Sequence, residues 1–298
     1  MSAVASGFEV VVGSPGAHQS EGDGPGPTFA SSKPRARRVS EFRHRALHSR
    51  WAYFAGPLLL LAFWQFAVSV LHVPANQVPS PANVAKALRE LISDGQLGTA
   101  LAVSIRRVAL GLLLGVVAGS ILAMLSGLTE LGERLIDAVM HMSRTMPVLA
   151  LLPLFVVWFG IGEEAKVLVI AWAVTFPIYI NLFAGIKSVD PKLIEAGQVL
   201  GLKRLGLIRQ VILPGALPQF LTGLRLAMGV AWLVLVAAEE VNATSGLGYL
   251  ITTAQSLMQT DVIFAALIVY SLLGITSDIL VRLIERWALA WRSSYVNR

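Results

Sequence analysis

Six runs of apolar residues divide the chain from residue 52 onward, at about 52–71, 103–125, 145–159, 167–186, 220–238 and 262–283. An α-helix needs ~20 predominantly apolar residues to cross the hydrocarbon of a bilayer. Five of the runs come near or pass that length, whereas the third is short and interrupted by Pro147 and Pro153. The fourth carries Pro177. Prolines there predict kinks whose freed backbone groups neighbouring helices must satisfy. In the second run Gly111, Gly115 and Gly119 recur every fourth residue and share one helix face. Such a face admits close helix packing, either within the chain or against a second copy.

Between the fourth and fifth runs lies a polar, basic island, residues 190–214. Asp190 can cap a helix that has Pro191 at its first position, where a missing N–H costs nothing. Gly201 supplies the left-handed residue that commonly closes a helix. A second short helix is predicted to follow, with Leu202, Leu205, Ile208 and Ile212 on an apolar face, until Pro214 stops it. Lys203, Arg204 and Arg209 mark its other face. The whole reads as a helix–turn–helix elbow held at a membrane surface.

Composition agrees with a polytopic membrane protein: 55% of residues are hydrophobic and 14% charged, against about a quarter charged in soluble domains. The absence of cysteine excludes disulfides and thiolate metal sites. The chain has neither a phosphate-binding G-x-x-x-x-G-K-[ST] loop nor an H-E-x-x-H pair. Energy for any transport must then come from another chain or an ion gradient. Residues 1–32 are rich in Gly, Ser, Pro and Ala, and residues 33–50 are strongly basic. Residues 1–50 are therefore expected to be a disordered basic cytoplasmic tail, and residues 51–298 the membrane domain.

Charge distribution argues against nucleic acid and for an orientation. With the N-terminus inside, the tail, Arg134, Arg144, the elbow region (Lys187, Lys192, Lys203, Arg204, Arg209, Arg225) and the C-terminal Arg282, Arg286, Arg292 and Arg298 are all cytoplasmic. The stretch 239–261 on the other side has three acids and no Lys or Arg. This satisfies the positive-inside rule. Lys86, Arg89, Arg106 and Arg107 break it. Residues 80–97 read as an amphipathic helix lying along the outer surface, and Arg106 and Arg107 as snorkelling from the start of the second span.

The polar residues near the spans carry paired readings. Glu239 and Glu240 sit at the end of the fifth span, either as a solvated helix terminus or as an outer gate or binding-protein contact. Asn242, Thr244, Ser245 and the Gly246-Leu247-Gly248 turn follow them. Asp278 and Arg282 are four apart and can pair on one helix face. Arg225 reads as an anchor. His72 and His141 have no partner carboxylate at metal spacing, and no metal or catalytic site is proposed.

At this point the residues carry a resemblance. Glu195-Ala196-Gly197, then Gly201, then Ile212-Leu213-Pro214 resemble the EAA loop of bacterial ABC importer permeases, with Gly197 in place of the second alanine. Pro79-Ser80-Pro81, the 133–137 stretch ERLID, the 154–162 stretch LFVVWFGIG, Phe176-Pro177-Ile178-Tyr179, VILPGAL at 211–217, SGLGYL at 245–250 and Thr260-Asp261-Val262 resemble the aliphatic sulfonate, taurine and nitrate branch. The resemblance runs from about Trp51 onward. It implies an all-α, polytopic membrane fold of about six transmembrane helices, of the MetI-like ABC importer permease type. It implies a permease homodimer working with ABC ATPase subunits and an extracytoplasmic solute-binding protein in the lipid of the bacterial inner membrane, with both termini cytoplasmic. Glu195, Ala196, Gly197, Gly201, Leu202, Ile212, Leu213 and Pro214 would couple to the ATPase, and Glu239, Glu240, Gly246 and Gly248 would form the outer gate or binding-protein contact. The chain itself would hold no cofactor, ATP and Mg belonging to the partner ATPase, and would be no enzyme. An aliphatic sulfonate is the expected cargo, with nitrate, taurine or a pyrimidine or vitamin precursor as alternatives. A secondary transporter is disfavoured because the span centres carry almost no charge and no internal repeat is evident.

Overall fold

The computed structural model describes residues 52–70, 74 and 77–291. The basic tail, His72, Arg292 and Arg298 lie outside the described residues. By packing, the chain divides into residues 1–57 and 58–298. Of the first unit only 52–57 are described, as the opening turns of helix α1 (Ala52–Val70). The other helices belong to the second.

Helix α2 (Pro81–Ser93) starts where the sequence predicts one: the Ser80 hydroxyl accepts from the Asn83 N–H and Pro81 takes the first position. It does not lie free on a surface. Val84, Ala87 and Leu91 form a buried stripe, and α2 packs against the last helix, α10 (Thr260–Ala288). Gly95, at φ +71°, turns the chain directly into α3 (Gln96–Leu128). This helix begins seven residues before the apolar run at 103, so Arg106 and Arg107 lie well inside it.

Helices α4 (Glu130–Arg144) and α5 (Val148–Phe159) meet at 104°. The third apolar run is thus one arm of a bent pair and no straight span. Pro147 causes this, since it offers no N–H to continue α4 and disfavours helical geometry at Met146. Helices α6 (Glu163–Lys187) and α5 run uninterrupted through Pro177 and Pro153. The elbow helix α7 (Pro191–Val199) leads to α8 (Arg204–Val241), then α9 (Leu247–Ser256) and α10. Among the described residues four helices, α3, α6, α8 and α10, are long and apolar enough to cross a membrane, and the α4–α5 pair would make a fifth.

Helix α6 is the axis of the packing. In its apolar window 61% of the residues are buried, against 17% in α10. It runs parallel to α3, with Gly111, Gly115 and Gly119 facing Ile170, Val174 and Ile178 in turn. The glycine face is therefore spent inside the chain and does not meet a second copy. A methyl group on Gly115 would fall 2.5 Å from the carbonyl oxygen of Ala171, a backbone atom that cannot step aside. Helix α8 runs antiparallel on the other side of α6, where Gly223 lets it approach the Pro177 carbonyl. At one end of this bundle the buried cluster holds Met140, Tyr179, Leu182, Ile186 and Ala216; at the other it holds Val108, Ile170, Leu235, Leu247 and Tyr270.

Gly115→Ala should lower the thermal stability of the purified protein in detergent, by about 1–3 kcal/mol for an overpacked contact. Gly98→Ala, in the same helix with open space around it, should raise stability by about 0.5–1 kcal/mol. Equal melting temperatures for the two variants would contradict the close α3–α6 contact.

Candidate functional site

Two polar constructions stand at opposite ends of α8. At the end that holds the α3 N-terminus is a clasp of buried charge. Arg107 and Glu239 are each 1% exposed. The Arg107 guanidinium grips Glu163 with two parallel bonds, Nε to Oε2 at 2.6 Å and Nη2 to Oε1 at 2.5 Å. Its Nη1 donates to Glu239 Oε1 and to the Ser245 carbonyl, both at 2.7 Å. Glu239 is as fully engaged. Its Oε1 also accepts from the Ser104 hydroxyl at 2.7 Å, and its Oε2 accepts from the Gly248 N–H at 2.8 Å and the Tyr270 hydroxyl at 3.1 Å. Ser104 in turn accepts from the Leu247 N–H at 3.0 Å.

A carboxylate offers about four acceptor positions, and Glu239 fills them with four donors from α3, α9 and α10. This satisfaction is what makes its burial tolerable, because an unpaired ion in the interior costs several kcal/mol. Gly246 is required twice over. Its φ of +113° disfavours a side chain, and a Cβ there would lie 2.7 Å from Arg107 Nη1. The clasp ties α3, α6, α8, α9 and α10 at one point. Lys166, buried in the first turn of α6, caps the Ile161 and Gly162 carbonyls beside it.

These positions correct two expectations. Arg107 does not snorkel, and Glu239 is no solvated helix terminus. Glu239, Gly246 and Gly248 come together as the sequence grouped them, but Glu240 points away and is exposed. Gly248 is buried within α9, so the glycine turn is anchored. Glu163, Ser104 and Tyr270 were not singled out from sequence. A signal for Arg107 existed: it sits four residues before Gly111, on the same ridge as the glycines. Beside the clasp an open cleft of about 270 Å³ lies between α3 and α9, walled by Gln96, Thr99, Val103, Thr244, Ser245 and Tyr249.

The second construction is the elbow. Asp190 caps α7 by accepting from the Lys192 N–H at 2.9 Å. Gly201, at φ +81°, closes it: the Leu202 N–H reaches back to the Gly197 carbonyl at 3.0 Å and the Gly201 N–H to Gln198 at 2.9 Å. That is the Schellman closure the glycine predicts. Gly197 is buried, and a Cβ there would lie 2.7 Å from Leu207 Cδ2, so the departure from alanine makes room for Leu207. Glu195 and Ala196 are exposed, while Leu202, Ile212, Leu213 and Pro214 are half-buried.

Two details differ from the sequence reading. Leu205 is 76% exposed, and together with Val199 at 88% and Leu200 at 82% it makes the elbow tip apolar; Leu207 takes the buried position. Pro214 does not end the helix, because Ile208–Ile212 forms a π-helical turn and α8 continues through the proline. The widened turn relieves the clash a proline ring makes with the carbonyl four residues earlier, here that of Gln210.

The remaining candidates are structural. Asp278 binds Arg282 at 2.7 Å and also lies 3.4 Å from Arg225, which pairs with Glu285 as well. His141 does have a carboxylate partner, Asp137, at 3.5 Å, and the Tyr179 hydroxyl donates to the same carboxylate at 3.0 Å.

Glu239→Ala should destabilise the protein by about 3–5 kcal/mol, since it leaves Arg107 buried with a lost partner. Glu163→Gln should cost about 1 kcal/mol or less, because its side chain is 61% exposed. Arg107→Met combined with Glu239→Leu should melt higher than Glu239→Ala. Thermal unfolding in detergent checks the order of the three.

Comparison with known proteins agrees with this architecture. Residues 111–289 match the family described as binding-protein-dependent transport system inner membrane component. The chain is 42% identical over 256 residues to a Bacillus subtilis protein named as an aliphatic sulfonates transport permease, SsuC, covering 85% of this chain and 93% of that one. It is 37% identical over 270 residues to the Escherichia coli taurine transport system permease protein TauC, covering 85% of this chain and 98% of that one. The fold is similar to that of a crystal structure of an amino acid ABC transporter, with a TM-score of 0.55 and 21% identity over 67% of this chain and 97% of that one. The chain belongs to the binding-protein-dependent transport system inner membrane components, and it is the multi-pass permease subunit of an ABC importer of the sulfonate and taurine branch, with its ATPase on a separate subunit.

Proposed function

We propose that this permease carries an aliphatic sulfonate from an extracytoplasmic solute-binding protein to the cytoplasm by alternating access, as one of two identical permease chains. The observation that carries the cargo is the 42% identity to a protein named for aliphatic sulfonates over 93% of that protein's length. The elbow carries the mechanism. Val199, Leu200 and Leu205 at its exposed tip, flanked by Lys203 and Arg209, suit a groove on the ATPase that is apolar inside and acidic at its rim. An exposed apolar group of this kind away from the spans marks a contact surface.

In this reading Glu195, Ala196, Gly197, Gly201, Leu202, Ile212, Leu213 and Pro214 form and support the coupling element. ATP and Mg sit in the partner ATPase, whose closure moves the elbow. Helix α8 is continuous from Arg204 to Val241, so a tilt imposed at the elbow reaches the clasp. The elbow end and both termini face the cytoplasm, supported by the basic residues of the elbow against the 239–261 stretch, which has three acids and no Lys or Arg, and in spite of Lys86, Arg89, Arg106 and Arg107 at that other end. Glu239, Gly246 and Gly248, held by Arg107, fix the outer rim of the path, and Glu240 is free to meet the binding protein. Taurine, itself an aminoalkyl sulfonate, is the second reading, supported by the 37% identity to TauC over 98% of its length.

A strain lacking this permease should fail to grow on ethanesulfonate as sole sulfur source and grow normally on sulfate. Normal growth on ethanesulfonate with failure on taurine would favour the second reading, and normal growth on both would overturn the sulfonate assignment. Gly201→Pro cannot adopt φ +81° and should lower uptake at least about tenfold while the protein still inserts, since proline is locked near φ −65°. Unchanged uptake would remove the elbow from the mechanism.

A further inference from the structure

At the elbow end an apolar cleft of about 230 Å³ opens between the last turns of α3 and the first turn of α8. Its walls are Ile121, Met124, Leu125, Leu128 and Ile208, and Arg204 stands at its mouth. Ile121 and Leu125 are about half exposed, at 48% and 51%. Among the described residues the Arg204 guanidinium has one hydrogen-bond acceptor, the Leu128 carbonyl, at a long 3.5 Å. Of the carboxylates at this end, Glu133 is held by Lys187 at 2.6 Å, Asp278 by Arg282 at 2.7 Å and Arg225, and Glu285 by Arg225, while Glu130 and Glu195 are exposed and, among the described residues, neither pairs with Arg204. Lys203 and Arg209, both exposed, add positive charge beside the mouth.

Depth in the membrane says what meets this cleft. The apolar run of α3 ends at residue 125, so at about 1.5 Å per residue Leu128 lies about 4.5 Å beyond the hydrocarbon. Arg204, which meets the Leu128 carbonyl, therefore stands at the level of the headgroups, with Ile121, Met124 and Leu125 below it. An apolar slot topped by a cation without an acidic partner, at that depth, is complementary to a phospholipid with negative charge in its headgroup.

We propose that this cleft binds an anionic phospholipid of the leaflet on the elbow side, with Arg204 holding the phosphate and the apolar walls one acyl chain. The bound lipid braces the elbow against α3; the site shares Arg204 and Ile208 with the elbow but none of the residues assigned to ATPase coupling. The inference rests on the membrane fold alone and is independent of the cargo.

The test is native mass spectrometry of the complete transporter, purified in mild detergent and incubated with phosphatidylglycerol or phosphatidylcholine. Wild type should retain phosphatidylglycerol over phosphatidylcholine by about fivefold or more, the preference one basic residue confers near a lipid phosphate. Arg204→Gln should abolish that preference and Arg204→Lys should keep most of it. Leu125→Trp, which fills the slot, should reduce retention of phosphatidylglycerol with Arg204 intact. Elution and melting temperature matching wild type establish that each variant is folded. Equal phosphatidylglycerol retention by wild type and Arg204→Gln overturns the proposal. So does loss of the ATPase subunit from Arg204→Gln with lipid retention unchanged, which would assign Arg204 to a protein contact.

Discussion

The contact between Arg107 and Glu239 is the constraint on which the rest of the clasp end depends. Two full charges are removed from water at a place where nothing but protein can replace the lost hydration. Their mutual attraction is not enough, since desolvating such a pair generally costs as much as the pair returns. What offsets the cost is the completeness of the surrounding bonds. Ser104, Tyr270 and the Gly248 N–H all donate to the carboxylate, while Glu163 and the Ser245 carbonyl complete the guanidinium. The donors to Glu239 come from three helices, α3, α9 and α10, so none of these can shift without leaving a buried ion short of a partner.

Close packing makes that geometry attainable. Arg107 reaches Glu163 and Glu239 because α3 lies against α6 with only glycine between them at three successive turns. Gly111, Gly115 and Gly119 bring the helix backbones near enough for a short polar bridge at the end of the same ridge. Bulkier residues would part the helices, and the guanidinium would then lose its bidentate hold. Dispersion contacts along the glycine ridge and electrostatics at its end are thus coupled through one helix–helix distance.

The elbow is built on a different principle. Its shape comes from local chain chemistry: an Asp cap, a proline at the first helical position, a glycine in the left-handed region and a π-helical turn ahead of Pro214. Few long-range contacts are needed beyond Leu207 against Gly197. It consequently presents an apolar tip outward at little cost to its own fold, and α8 joins it to the clasp as one unbroken helix. A locally determined projection and a globally determined buried clasp sit at the two ends of a single element.

The contrast explains what could be read from the sequence. The apolar runs, the helix class, the amphipathic helix from residue 80, the cap at Asp190, the glycine closure at Gly201 and the grouping of Glu239 with Gly246 and Gly248 were legible, because periodicity, capping and left-handed backbone are decided within a few residues. Spacing also put Arg107 on the ridge of Gly111, but the ridge did not say what lay opposite it. Chain position alone made Arg107 a snorkelling cation and Glu239 a solvated terminus; Glu163, 56 residues from Arg107, and Tyr270, 31 residues from Glu239, turned both into buried partners. The outward turn of Leu205, the passage of α8 through Pro214 and the bend between α4 and α5 were likewise settled by packing. Sequence determined which segments are helices and where they turn, since those choices are local. Only the tertiary structure decided which charges are buried and with whom, because that depends on partners that the chain brings together from afar.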